Sequence, residues 1–392
     1  MELRERGAEV HVRTLAAGVA AVREAGLECE PIDPAIEAVE MDDHTRRRRL
    51  AAAERSLAVW GERAPLDAAD FAAALAAVEP DLALVDTSTL GAQAVAEREG
   101  LPWAESRPFL LEDTVPGFPT LGFGWRPKSG PLGRARDRGG ALFSALADRR
   151  LRLPAANAGR RAAGVTELGS MAEARYRAPL TLYFTARPFE YPRAMPPNVL
   201  MVGAATWDPP AELPFAIPED ERPLALVTCS SEFQGDSAIA AAALEGMAGR
   251  WRLVVTTAGV DPASLPRRGD AVVERYLPHR PLLERASVVV CHGGMGIAQK
   301  ALAFGVPVCV VPWGRDQLDV AAHVEEAGAG TRLPRRRLSP ARLAAAATAA
   351  EACAPGAARV QAGYEAAGGS GAAADALESL AGGLPRSSSS RK

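Results

Sequence analysis

The sequence predicts an α/β protein of two domains, each a parallel sheet flanked by helices. Three observations predict this. Buried-strand runs such as DLALVDTS (81–88), PLALVTCSS (223–231) and SVVVCHGG (287–294) alternate with helical stretches along the chain. That alternation is the pattern of strand–helix units in a doubly wound fold. The pattern then halts at a segment with five prolines, WDPPAELPFAIPEDERP (207–223), and restarts after it. Finally, 392 residues is the length of two domains at about 100–200 residues each.

MELRERG has the composition of the last turns of a helix, closed by Gly7 as a C-cap. EVHVRT alternates, with Val10 and Val12 on one face, and reads as a strand. A nucleotide-type α/β domain opens with a strand and a loop before its first helix, so the first domain is expected to lack that strand. DLALVDTS reads as the next strand, Leu90–Glu99 as a helix closed by Gly100, and LPWAES as extended. Thr114–Pro131, rich in Pro, Gly and aromatics, reads as a long loop of the kind that lines ligand sites. TLYFTARPFEYP (181–192) and NVLMVGAA (198–205) are further strands.

The proline-dense segment is a stiff connector. The expected division is therefore a first domain over 1–206, a linker over 207–223 and a second domain over 224–385. Residues 386–392 form a polar tail, expected to be mobile. In the second half PLALVTCSS, WRLVVTTA, AVVERYLPH, SVVVCHGG and VPVCVVPW read as strands. Helices are expected over Ala238–Arg250, from near Gly296, and over Gln317–Ala327, with Ala-rich helices at the end.

Composition excludes several classes. Lys and Arg total 45 against 48 Asp and Glu, so no positive field points to nucleic acid. Five scattered Cys show no metal-ligand spacing, which argues against zinc and for reduced thiols in a cytoplasm. No apolar run approaches the ~18 residues of a membrane span, and the start lacks the apolar core of a signal peptide. Arg46–Arg49 and Arg335–Arg337 read as solvated surface.

The chemistry concentrates in SVVVCHGGMGIAQKALAFGVPVCVVPWGRDQLDVAAHVEEAGAG (287–330). An apolar strand delivers His292, Gly293 and Gly294 to its carboxyl end, where a helix begins. Glycines let backbone N–H groups approach an anion, and the helix N-terminus carries partial positive charge. Such a corner is built to hold a diphosphate. An incidental His in a tight turn is the plain alternative, and the next strand end weighs against it. There Asp316 and Gln317 open another helix and supply acceptors and a donor suited to sugar hydroxyls, although Asp316 also fits a helix N-cap. No GxGxxG opens either domain, which disfavours a dehydrogenase.

HGGMGIAQKALAFGVPVCVVPWGRDQ resembles the donor-binding signature of the bacterial natural-product glycosyltransferases of the GT-B fold, the antibiotic and macrolide group. RERGAEVHVRT, FTARPFEYP, WDPP and YLPHRPLLERASVVVCHGG are similar to other segments of that family. The resemblance implies two Rossmann-like domains facing each other across a cleft, the first binding an acceptor and the second a nucleotide sugar. It implies that His292 bonds the donor diphosphate, with the N–H groups of Gly293, Gly294, Met295 and Gly296 around it and Ser230 and Ser231 nearby. Asp316 and Gln317 would hold sugar hydroxyls, and Tyr276, Leu277, His279 and Lys300 would lie at the nucleoside.

Three positions depart from the family. Lys300 stands where many relatives carry a Glu that accepts from ribose hydroxyls, which a Lys cannot do; this weakens the case for a ribose read by a carboxylate and is consistent with a deoxythymidine donor. Asp319 stands where relatives often have Asn. The family's general-base His lies in the expected missing strand and loop, and neither His11 nor His44 matches it, so no catalytic base is assigned. The short chain is accordingly expected to be a poor catalyst.

The implied activity is inverting, metal-independent sugar transfer from a dTDP- or UDP-sugar to a hydroxyl of an apolar aglycone, without a cofactor. Trp103, Phe109, Phe118, Phe123 and Trp125 are aromatic candidates for the aglycone, and core packing explains some equally well. A non-catalytic nucleotide-binding homologue or helper partner is the alternative, and a homodimer is left open.

Overall fold

The computed structural model describes residues 1–46, 49–112, 115–174, 177–209, 213–215, 221–230, 235–266 and 268–382. The expected tail over 386–392 and much of the linker lie outside these residues.

The second half forms one six-stranded sheet. Its strands are β7 (Leu224–Thr228), β8 (Arg252–Thr256), β9 (Val272–Glu274), β10 (Ala286–Cys291), β11 (Val308–Val310) and β12 (Gly330–Arg332). They lie in the order β12-β11-β10-β7-β8-β9, and every pair is parallel. All five residues of β7 are buried, because helices cover both faces of the sheet. One face packs Val289, Val308 and Val310 against Ala298, Leu302 and Val320. The other packs Val227, Val255 and Val288 against Ile239, Leu244 and Met247. The order reverses between β7 and β10, and the crevice beyond the strand ends at such a point is where open α/β sheets bind ligands.

The first half is divided differently. β1 (His11–Thr14) and β2 (Glu28–Pro31) form a parallel two-stranded sheet. β3 (Ala83–Asp86), β4 (Trp103–Arg107), β5 (Leu180–Tyr183) and β6 (Val199–Met201) form a separate parallel sheet in that order. Among the described residues no ladder joins β1 to β3, and Leu84 of the edge strand β3 is 47% exposed. The 30-residue helix Arg49–Val78, which the sequence reading left out, supports this half. It packs on the helices Leu90–Glu99 and Leu153–Ala163. The contact is close enough that a Cβ on Gly91 would lie 1.9 Å from the Ala64 carbonyl oxygen.

The end of the chain departs from the expected division. The helix Gly369–Gly382 lies in the span assigned to the second domain, yet it returns to the first sheet. Leu377 joins Ala104, Leu182 and Val202 in one cluster, and Arg6 pairs with Asp375 and Glu378 at 2.6 and 2.9 Å. The helix has an apolar face that its own sheet, already covered, does not need.

Candidate functional site

β10 is buried over Val288–Cys291, so its end carries His292 to the sheet edge. Gly293 has φ +95°, and a Cβ there would lie 2.5 Å from Val310 Cγ1, so only glycine fits. Gly294 caps the helix Met295–Ala303. A Cβ on Gly294 would meet His292 Nε2 at 2.6 Å, so the imidazole lies against the helix N-terminus. Nothing lies within 4 Å of a Cβ built on Gly296, which leaves the first turn open to a ligand. His292 is buried, and its Nδ1 has no hydrogen-bond partner. Burial, helped by the Arg315 charge, pushes its pKa down against the pull of Asp236, whose Oδ2 lies 3.7 Å away.

Asp236, which the sequence reading missed, has a second role. It precedes the helix Ser237–Gly246, and its carboxylate accepts from the Ser230 N–H at 2.7 Å. It thereby ties the end of β7 to the His292 corner. Met295, expected near the diphosphate, is buried in the core with its side chain among Leu302 and Val310; its backbone N–H still belongs to the first turn. Ser231 lies outside the described residues.

Beyond β11 the loop Pro312–Asp316 leads into the helix Gln317–Glu326. The Gln317 side-chain oxygen accepts from the N–H groups of Trp313 and Gly314 at 2.7 and 2.9 Å. The residue read as a sugar ligand therefore braces its own loop. Asp316 is half-buried, but its Oδ2 is covered and has no hydrogen-bond partner, and burial pushes the carboxyl up to about 6. The Trp313 Nε1 is likewise unpartnered, under the Arg335 guanidinium 4.1 Å from the ring. Arg335, read as solvated surface, thus stacks on the loop.

Three further contacts reach this loop and the helix after it from the first half. Arg315 Nε and Nη2 donate to the buried Asp43 at 3.0 and 2.7 Å. Asp319 accepts from the N–H groups of Gly122 and Gly124, at 2.8 and 2.9 Å, in the long loop read from the sequence. Arg126 Nε donates to Glu326 at 2.8 Å. The sequence marked Asp319 only as a departure, and nothing in local spacing pairs residues so far apart.

At the other end of the crevice Lys300 is committed to the Asp208 carboxylate and to the Trp207 carbonyl at 3.3 Å. Asp208 also accepts from the Arg280 N–H at 2.9 Å. His279 lies 3.3 Å from Thr256 Oγ1, its pKa pushed down by burial and by Lys300. Leu277 packs on the core, and Tyr276 is 68% exposed. A carboxylate is therefore present here after all, on the linker rather than on the helix.

The aromatic candidates divide. Trp103 is core. Phe123 stacks on Trp125 at 4.2 Å and meets Phe143 edge-on at 5.5 Å. Phe118 stacks on Tyr191 at 6.1 Å, and Phe109 is exposed. His11 is held between Glu9 and Glu28, each 3.0 Å away, and His44 is exposed beside Asp43. Glu9, His11 and Glu28 are also the one cluster of three potential metal ligands among the described residues, and none of them is on an element of the site. No described helix is long and apolar enough to cross a membrane.

Residues 253–374 match the family described as erythromycin biosynthesis protein CIII-like, C-terminal domain. The chain is 33% identical over 286 residues to 4'-demethylrebeccamycin synthase of Lentzea aerocolonigenes, a match that covers 69% of this chain and 66% of that protein. The matched stretches are 18 and 36% of the next curated relatives, from Bacillus subtilis and Mycobacterium tuberculosis. By fold the chain is similar to the glycotransferase of kitacinnamycin, with a TM-score of 0.73 and 24% identity over 98% of this chain and 94% of that one. It is also similar to the glycosyltransferase VinC, solved in complex with DTDP, with a TM-score of 0.66 and 22% identity over 97 and 94% of the two chains.

Proposed function

The chain belongs to the GT-B glycosyltransferases of antibiotic biosynthesis, and on that premise we propose that it moves a sugar from a dTDP- or UDP-sugar to a hydroxyl of an apolar small molecule, with inversion and without a metal or cofactor. The observation that carries this is the His292 corner at the reversal point of the sheet: a buried imidazole whose Nε2 lies against an open helix N-terminus and whose Nδ1, 3.7 Å from Asp236, has no hydrogen-bond partner. Two more of the unpartnered buried atoms among the described residues, Asp316 Oδ2 and Trp313 Nε1, belong to the adjacent loop. Buried polar groups are ordinarily satisfied, so three such atoms around one crevice support a polar ligand there.

In the proposed reaction a general base, to which no residue is assigned, takes the acceptor proton as the acceptor oxygen bonds to the anomeric carbon and the bond from that carbon to the diphosphate breaks on the opposite face. Negative charge develops on that diphosphate, where the helix dipole, the N–H groups of Gly294–Gly296 and His292 stabilise it. Losing one fixed donor of this kind raises the barrier by about 3 kcal/mol. Asp316 accepts from a sugar hydroxyl, and the N–H groups braced by Gln317 fix the loop that carries it. Asp208 and His279 face the nucleoside, with Lys300 holding Asp208 in place.

A second reading, a nucleotide-binding partner without transfer activity, is favoured by the divided first sheet and by the lack of an assigned base. The two readings separate in one experiment. Calorimetry with dTDP and UDP tests the binding site they share, and a transfer assay with a panel of apolar aglycones tests catalysis. Binding with no detectable transfer supports the partner reading. Neither nucleotide binding at millimolar concentration removes both.

A further inference from the structure

Resting on the nucleotide-sugar reading, we propose that the first domain builds the donor-sugar site: Arg315 and Asp319, which bracket Asp316 and Gln317, are positioning residues through which the first half sets the loop that holds the sugar. Arg315 makes a two-bond guanidinium–carboxylate contact with Asp43, 272 residues away. Burial works against the Asp43 charge, yet Arg315 and Ser56 hold its carboxyl below the usual range. Arg315 also sits at φ +51°, a left-handed setting that a residue with a Cβ rarely adopts. Such a conformation persists when surrounding bonds over-determine it. Here those bonds are the Asp43 pair on one side and the Gln317 brace on the other.

On the far side of Asp316, Asp319 takes two N–H groups of the first-domain loop. That loop lies flush on the helix start: a Cβ on Gly124 would meet Leu318 Cβ at 2.7 Å and the Leu318 carbonyl oxygen at 2.8 Å. Between these two anchors lies Asp316, with a covered oxygen that has no partner. Both anchors are made from the first half, so the place of that oxygen depends on the two halves being closed together. The His292 corner, by contrast, is built on elements of the second half: β10, β7 and their following helices, with Gly293 seated on Val310 and Gln317. Diphosphate binding should therefore respond to Asp43 much less than sugar binding does.

The test uses the full chain and two calorimetric probes, dTDP and dTDP-glucose, with the ratio of their Kd values as the readout. Asp43→Asn removes the charge without changing shape, at a residue that is not assigned to the nucleotide sugar. It is expected to leave the dTDP Kd within twofold and to shift the ratio at least fivefold against dTDP-glucose. Asp319→Asn should shift it the same way. Asp43→Asn combined with Arg315→Ala should be no worse than Arg315→Ala alone, because the two changes remove one interaction. Melting curves confirm that each variant is folded. A purely structural ion pair would lower Tm and leave the ratio unchanged, and an unchanged ratio in Asp43→Asn overturns the proposal. If the wild-type chain binds neither probe, the nucleotide-sugar reading itself fails, and that is visible without any variant.

Discussion

His292 meets two opposing demands. Burial holds the imidazole neutral in the free protein, whereas a diphosphate beside it favours the imidazolium. Binding should therefore take up protons near pH 7. Calorimetry of dTDP binding in two buffers of different ionisation enthalpy measures that uptake, and His292→Ala should abolish it. Asp316 shows the opposite sign. Its folded carboxyl is raised to about 6, above the ordinary value of 3.8, so its favourable contribution to stability is complete below pH 3.8. It is lost as pH rises through about 6. Asp316→Asn should raise Tm relative to wild type above pH 6 and change it little below pH 4. A variant that melts below wild type at pH 8 would show that the carboxylate is satisfied by bonds the structure does not contain. His292, Asp316 and the glycines around them were legible in the sequence because a strand end, glycines and a helix start are neighbours in the chain. The brace made by the Gln317 side-chain oxygen was not legible, because only the fold shows that it turns back to Trp313 and Gly314.

The elements divide in the same way. Strands β3–β11 and the helices after them follow local apolar runs, and Gly100 closes its helix at φ +63° as its position implies. The helix Arg49–Val78 contains Pro65 and begins in an arginine run, so its local signals point to a break. Its stability comes instead from packing against two other helices. The return of the helix Gly369–Gly382 to the first sheet has no local signal either, since an Ala-rich amphipathic helix does not name its partner. Leu377, buried in that contact, should cost about 2–4 kcal/mol when changed to alanine. Urea unfolding measures this, and a loss under 0.5 kcal/mol would mean the helix is not docked in solution. Gly124→Ala tests the loop contact, because positive φ and the Leu318 backbone both oppose a Cβ. It should destabilise by about 1–2 kcal/mol and weaken dTDP-glucose more than dTDP.

Across the whole molecule the two halves are joined by side chains as well as by the linker. Gln299 of the second half donates to the Phe184 carbonyl at 2.8 Å, and Tyr364 donates to Gln299. Glu190, buried with Tyr183, Arg193 and His323, is held at about 2 although burial works to raise it. The crevice beyond β7 and β10 lies on the second half, and Asp43 and the loop through Gly122 and Gly124 bond to Arg315 and Asp319 on either side of Asp316. On the proposed function this crevice binds a nucleoside diphosphate through His292 and the helix N-terminus without a metal. Titration calorimetry of dTDP against the full chain in EDTA, beside His292→Ala under the same conditions, tests it most directly. Saturable binding by the wild type and at least tenfold weaker binding by the variant are expected. Equal affinities for the two proteins, or wild-type binding that appears only after Mg²⁺ is added back, would contradict it.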